Sequence, residues 1–416
     1  MKSIWFILII LFPLIGFSQE QSFILSTDTA HNETITAKAK IEVNSNGLTN
    51  EFINAYYQGD FISQDIKNRS LKRMNSINSL GYMLQTELEW NHVLKNQDNP
   101  THLFIKIAQH TIDEMRYTDD LFRLVFYGNN DFIEKTAKFT RSGFQSLNYM
   151  QIKAGLTYNF PDKSGFHTLK VAMGLNLGQN HMKVDVNNGE FYTQTGGQHV
   201  YVGLNANIQQ TDTANSSFFK FNGWGPNLDL AYQYTFKHQN SIGISIENLG
   251  YIEWNNQSFD HSIDTAIHFR GVEINDIFNI PKDIFKNELD SLKNEIVFSS
   301  NKSQYITYTP INLKLFYIQP LFKNKFLLTV EGGYTVFSYQ KPYIGIQALW
   351  HISPLFFLTP MIQYGGYGDM NIGASAGFSQ WKGFSLLIYS QFLNGLISPS
   401  STGGEGIGIF LSKHFK

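Results

Sequence analysis

Between His199 and Gln209 the chain alternates without a break: Val200, Val202, Leu204, Ala206 and Ile208 on one face, His199, Tyr201, Gly203, Asn205, Asn207 and Gln209 on the other. Period-two alternation over this length predicts a strand with one apolar and one polar face. It also suits a tilted strand crossing a bilayer, which takes ~9–11 residues. The pattern recurs along the chain. Ala37, Ala39, Ile41 and Val43 alternate with Lys38, Lys40 and Glu42, and Leu84, Leu88 and Trp90 oppose Gln85, Glu87 and Glu89. Leu103, Ile105 and Ile107 follow, then Ile152, Ala154, Leu156, Tyr158 and Phe160 opposite Lys153, Thr157 and Asn159. Val171, Met173, Leu175 and Leu177 oppose Lys170, Gly174 and Asn176, and Leu228 to Phe236 repeats the pattern against Asn227, Asp229, Gln233 and Thr235. Nearer the C-terminus, Leu328, Val330, Tyr334 and Val336 oppose Thr329, Glu331 and Thr335, while Ile344, Ile346, Ala348 and Trp350 oppose Gly345, Gln347 and His351.

Short links punctuate these runs. His238-Gln239-Asn240 sits where a tight hairpin turn belongs, and Gln340-Lys341-Pro342, Ser353-Pro354 and Gln380-Trp381-Lys382 read as the short periplasmic turns of a membrane barrel. Gly365-Gly366, Gly368 and Gly403-Gly404 mark strand ends or loop tips. The expected fold is all-β: a transmembrane antiparallel up-and-down β-barrel of about 14 strands, with short helical loop or plug segments. Its last strand places Ile407, Ile409, Leu411 and Phe415 on one face, a near-terminal aromatic of the kind barrel-assembly machinery reads, although Lys413 interrupts the face.

Three stretches break the alternation and are expected to be loop, lid or plug insertions: 51–75, 119–147 and 256–300. The first has no clean period. Asp119–Tyr127 gathers Leu121, Leu124, Val125 and Phe126 as a helix would, and Ile284, Phe285, Leu289, Leu292 and Ile296 recur at helical spacing after Pro281. A decoration packed over the barrel mouth is the alternative reading.

The N-terminus changes where the barrel is placed. Lys2, the apolar run Ile4–Ile15 and the small residues Gly16 and Ser18 have the anatomy of a secretory signal peptide cut after Ser18. Residues 1–18 are therefore expected to be removed, leaving 19–416 as one barrel domain bound for the outer membrane. Composition agrees. Aromatic residues make up 15% and charged ones 16%, below the ~25% charge of ordinary soluble domains. With no cysteine there is neither a disulfide framework nor a lipid-modified Cys after the cut. A mean hydropathy of −0.21 does not describe a bundle of membrane helices. A net charge of −2 gives no reason to expect nucleic acid.

Asp119–Asn129, DDLFRLVFYGN, and Ile246–Trp254, IENLGYIEW, resemble motifs of a large family of Bacteroidota-type outer-membrane barrels classed as a domain of unknown function. The Ser-Gln signal-peptide junction and the overall layout are similar as well. More distantly, the layout resembles fatty-acid-transporter-type barrels and barrels associated with gliding and type IX secretion. The resemblance implies location and fold. It implies no substrate, and no functional residue carries over from it.

Catalytic chemistry finds no support. There is no G-x-S-x-G elbow and no HExxH, and His261/His268 and His92/His102 lack metal-site spacing, so no catalytic residue, metal or cofactor is expected. Lys153, Lys170, His199, Asp229, Glu247, Lys314, Glu331 and His351 fall on polar faces and are expected to line the lumen. Charge there either tunes a water-filled pore or forms ion pairs that close it. Trp224, Trp254, Trp350 and Trp381 lie near strand ends and read as interfacial girdle residues. The favoured function is passage or uptake of a small solute, hydrophobic ones included. A non-conducting barrel that anchors a secretion or surface-protein complex is the alternative. The expected partners are outer-membrane lipid, the assembly machinery during biogenesis, and either a small solute or a secretion complex.

Overall fold

Where the period-two pattern runs, the chain forms strands. The computed structural model describes residues 33–95, 101–195, 199–212, 215, 219–269 and 299–415. The signal-peptide segment 1–18 and the helical pattern over 278–297 lie outside them. The strands are β1 (Glu33–Ser45), β2 (Ile77–Lys95), β3 (Thr101–Thr118), β4 (Thr136–Lys138), β5 (Gly143–Asp162), β6 (Gly165–Thr193), β7 (Val200–Gln210), β8 (Gly223–Phe236), β9 (Ser241–Trp254) and β10 (Phe259–Phe269). They continue as β11 (Ser299–Lys302), β12 (Tyr305–Tyr308), β13 (Ile311–Leu321), β14 (Phe326–Val336), β15 (Lys341–His351), β16 (Phe356–Gly366), β17 (Met370–Trp381), β18 (Phe384–Ser390) and β19 (Gly404–Phe415).

Fourteen of these strands, β1 to β3, β5, β6, β8, β9 and β13 to β19, pair antiparallel in that order. The last returns to the first, with Glu33 opposite Phe415 and Asn44 opposite Gly404. Closure leaves the ring no edge, the condition for putting a sheet into lipid. Connections at one end are short. Lys382-Gly383, both at positive φ, is a two-residue hairpin turn, and His238–Asn240 turns between β8 and β9. The long insertions sit at the other end, the loop end, and so does Gln340, which closes the β14–β15 loop instead of a short-end turn as expected.

The sharpest alternation in the sequence, 199–209, is not in the ring. The 29-residue β6 outruns the wall: Gly165–Gly178 pairs with β8, and Met182–Thr193 pairs with β7 in an extension shared with β4, β10 and β11. Alternation reports two unlike faces; it does not report which solvent each face meets.

Three helices gather at the loop end. α1 (Asn50–Gln58) and α2 (Gln64–Arg73) lie between β1 and β2, in a stretch whose sequence showed no period. Thr49 Oγ1 caps α1, and Gly59 ends it in the left-handed region. α3 (Asp119–Tyr127) forms over the expected residues, capped by Thr118 Oγ1. Beyond it, 143–147 already belongs to the wall strand β5 and not to an insertion. Phe52 and Phe122 bury against Leu48 and Tyr117 to join these helices. Asn50 Nδ2 donates to the Gly404 carbonyl at 2.7 Å, tying them to the rim. A short helix α4 (Leu393–Ile397) stands beside the upper part of β17, where Asn394 bonds the β17 backbone at Met370 and Ile372. Among the described residues no helix is long and apolar enough to cross a membrane.

The outward face is apolar between two belts of aromatics. Phe322, Trp350, Phe356, Trp381, Phe384 and Phe415 ring the turn end, and Trp224, Tyr308, Tyr334 and Tyr364 the loop end, all exposed. Phe356 and Tyr364 lie eight positions apart on β16, ~26 Å along the strand and about 20 Å along a barrel axis tilted by ~40°. These are the proportions of a membrane-spanning wall. Leu315, 56% exposed at mid-strand beside Ile244, tests this. Leu315→Arg is expected to cost ~2–4 kcal/mol in denaturant-induced unfolding from lipid vesicles, as charge at a bilayer midplane does. No loss would mean that the face meets water.

Candidate functional site

The side chains between the outward ones point into the ring, and they divide the lumen into two unlike halves. From β1 to β9 the inner wall is charged. Lys38 on β1 meets Glu87 on β2 at 2.6 Å, and Lys106 on β3 lies 3.6 Å from Glu87 and 3.9 Å from Asp229 on β8. Lys153 on β5 donates to both Asp229 oxygens at 2.8 and 2.9 Å and to Asn248 Oδ1 at 2.8 Å. Asn248, a left-handed residue that Asn tolerates, also donates its backbone N–H to Asp229 at 2.7 Å. The Lys153 side chain is 0% exposed. Lys170 places its Nζ 4.4 Å from the centre of the Phe104 ring. The resulting lattice links strands that are not neighbours in the wall and fills the space between them.

Toward the loop end the same half is packed with rings. His181 stacks on Trp254 and its Nδ1 lies 2.9 Å from the Tyr305 hydroxyl, while His110 stacks on Tyr149 and approaches Gln151 Oε1 at 3.0 Å. Trp254, expected in the girdle, is 0% exposed inside this cluster with its Nε1 on Thr307 Oγ1. The positive-φ residue Asn248 and the register shift between Leu228 and Leu230 interrupt the alternation just before it.

The other half, from β13 to β19, is left open. Phe316, Ile318 and Leu327 cluster with Ala231, and Leu387 and Tyr389 pack with Phe357 and Phe410. Leu327, Phe357, Leu387, Tyr389 and Phe410 bound a cavity of about 480 Å³, also lined by Leu349, His351, His414 and the charged residues Lys38, Lys40, Glu42, Glu247 and Lys314. Lys314 is held by Glu331 at 3.0 Å.

The mouth is closed from across the ring. The β14–β15 and β16–β17 loops reach over the lumen to β3, where the carboxylate of buried Glu114 accepts from the Ser338 and Tyr367 hydroxyls and from the Tyr339 N–H. Gly81 of β2 lies directly under the Tyr367 ring, which a Cβ there would strike. Tyr339 extends further, its hydroxyl donating to Asp185 at 3.1 Å and its ring lying beneath Arg116.

Of the sequence candidates, Lys153 and Asp229 come together, as do Lys314 and Glu331, and Lys170, Glu247 and His351 lie inside the ring. His199 stands apart. It precedes β7 in the extension, 3.2 Å from His268 Nε2, and so does not line the lumen. Lys38, Lys106, Glu87 and Glu114 were not singled out. Lys38 and Glu87 stand on polar faces of alternating runs, the signal that would have found them, whereas Glu114 acquires its role from loops distant in sequence. Among the described residues no group of three metal-ligating side chains forms.

Removing one member of a buried charge pair strands the other, at ~3–5 kcal/mol. Asp229→Ala is therefore expected to lower unfolding stability by about that amount. The double change Lys153→Met with Asp229→Leu should recover most of the loss. Equal losses in both would show that the pair does not act as a unit.

A family model described as a family of unknown function (DUF5723) matches residues 35–389. No curated protein sequence matches the chain. Among solved structures it is similar to the TodX deltaS2S3 mutant monoaromatic hydrocarbon channel, at 9% identity over 96% of each chain with a TM-score of 0.46. It is also similar to the Ralstonia pickettii toluene transporter TbuX, at 8% identity over 97% of this chain and 96% of that one with a TM-score of 0.43. A Pseudomonas aeruginosa FadL homologue matches at 8% identity over 92% and 90% of the two chains with a TM-score of 0.39.

Proposed function

The chain belongs to the family of unknown function (DUF5723), and from its lumen we propose that it is an outer-membrane passage for small, largely apolar solutes. The observation that carries this reading is the cavity of about 480 Å³ beside β13 to β19, where Leu327, Leu349, Phe357, Leu387, Tyr389 and Phe410 line it among polar neighbours, in the size range of small-molecule sites. Outer-membrane placement is supported by the closed ring, the apolar outward band between two aromatic belts, and the export-signal anatomy of residues 1–18. No catalytic step is assigned to it.

In this reading the inward-folded loops and the helices of 50–73 are a lid. The closing contacts are polar: two hydroxyls and one N–H on the Glu114 carboxylate. Such contacts exchange readily for water, so the lid can open without unpacking the apolar wall. Planar-bilayer recording of the refolded protein tests this. Rare openings are expected from the unmodified chain, and Glu114→Gln combined with Tyr367→Phe should raise the open time about tenfold, the loss of ~1.4 kcal/mol of latch. Unchanged, sparse openings in the double variant would contradict the lid.

A second reading, a non-conducting anchor for a surface or secretion complex, draws on Tyr57 and Phe61, which stand 83% and 88% exposed on the helical cap. It predicts a silent bilayer for both proteins and a stable partner that co-purifies through this cap.

A further inference from the structure

We infer that the cavity selects by charge, admitting uncharged solutes and rejecting ions built on the same carbon skeleton. The inference rests on the cavity being the solute site. The lysines that face the cavity each have a carboxylate close by: Lys38 with Glu87 at 2.6 Å, Lys40 with Glu42 at 3.4 Å, and Lys314 with Glu331 at 3.0 Å. Glu247 stands opposite Asn312 of β13 in the wall. The His414 ring is held between neutral hydroxyls, Nδ1 at 3.1 Å from Thr34 Oγ1 and Nε2 at 3.3 Å from Ser385 Oγ.

A carboxylate entering this space must shed its water, and any lysine it reaches is already shared with a glutamate that repels it. An ammonium meets the mirror problem. Stripping an ion of water costs several kcal/mol unless a partner replaces the solvent, whereas an alcohol gives up little and meets the same apolar wall. The pairing thus converts a lumen containing many charges into one that holds no ion well. An unpaired lysine would have made it an anion site.

The test is displacement of the uncharged dye N-phenyl-1-naphthylamine from the full protein in lipid nanodiscs by 1-decanol or by decanoate. It is run at pH 8, where ordinary imidazoles are neutral. Decanol is expected to displace the dye at a concentration at least ~10-fold lower than decanoate, once partition into empty nanodiscs is subtracted. Glu331→Gln removes the carboxylate beside Lys314 and should shift the preference toward decanoate by about tenfold or more, and Lys314→Met should not. Glu42→Gln, on the more accessible Lys40 pair, applies the same test if Glu331→Gln does not refold. Decanoate binding as well as decanol in the unmodified protein overturns the inference while leaving the cavity as a solute site. Failure of dye and decanol alike to bind overturns the cavity reading, and this inference with it.

Discussion

In hydrocarbon a strand can satisfy its amides only by pairing with another strand, and a sheet can do so completely only by closing. The seam between β19 and β1, Glu33 to Phe415 at one end and Asn44 to Gly404 at the other, is where this chain meets that requirement. Everything else follows from it. Once fourteen strands are closed, alternate side chains are committed to lipid and the others to a shared interior. The outward set is Leu, Ile and aromatic residues. The inward set must then fill a lumen wider than that of a small eight-stranded barrel, or leave part of it empty.

The chain does both. Between β1 and β9 it fills the space with Lys38, Lys106 and Lys153 against Glu87 and Asp229, finished by stacked His and aromatic rings toward the loop end. Between β13 and β19 it uses Phe316, Leu387 and their neighbours and leaves a cavity. Buried charges are costly unless partnered, so the filled half is held by pairing in which each member depends on the next. In the other half, the loops drawn across to Glu114 close the mouth over the cavity.

Much of the wall was legible in the sequence. Ile152 to Phe160, Leu228 to Phe236 and Leu328 to Val336 alternate cleanly because their outward side chains are apolar while many inward ones, such as Lys153, Asp229, Thr329 and Glu331, are polar. The inward positions of Lys153, Asp229, Lys314 and Glu331 came from the same rule. The failures have physical causes. His199 and its strand alternate as well as any wall strand because an extension sheet also has unlike faces. Trp254 moved from girdle to core beyond the irregularity at Asn248, which the residue pattern alone does not reveal. Helices α1 and α2 are short, and they are held by packing Phe52, Ile53, Ile66 and Leu71 into one cluster with Tyr117 of β3 and Phe122 of α3. The Glu114 latch joins residues more than two hundred positions apart, and nothing local to Glu114 announces it.

The central claim is that the lumen beside β13 to β19 is an apolar passage and not an aqueous pore. Since the chain has no cysteine, one Cys placed at Leu349 reports on that space alone. Its modification rate by a small uncharged maleimide, compared with that by a methanethiosulfonate reagent of similar size bearing a fixed charge, tests the claim most directly. Each rate is normalised to the same reagent acting on an exposed Cys at Phe61. The account predicts that the uncharged reagent reacts readily and the charged one at least ~10-fold more slowly, the barrier of a site that cannot solvate an ion. Equal normalised rates would describe a water-filled channel and contradict it.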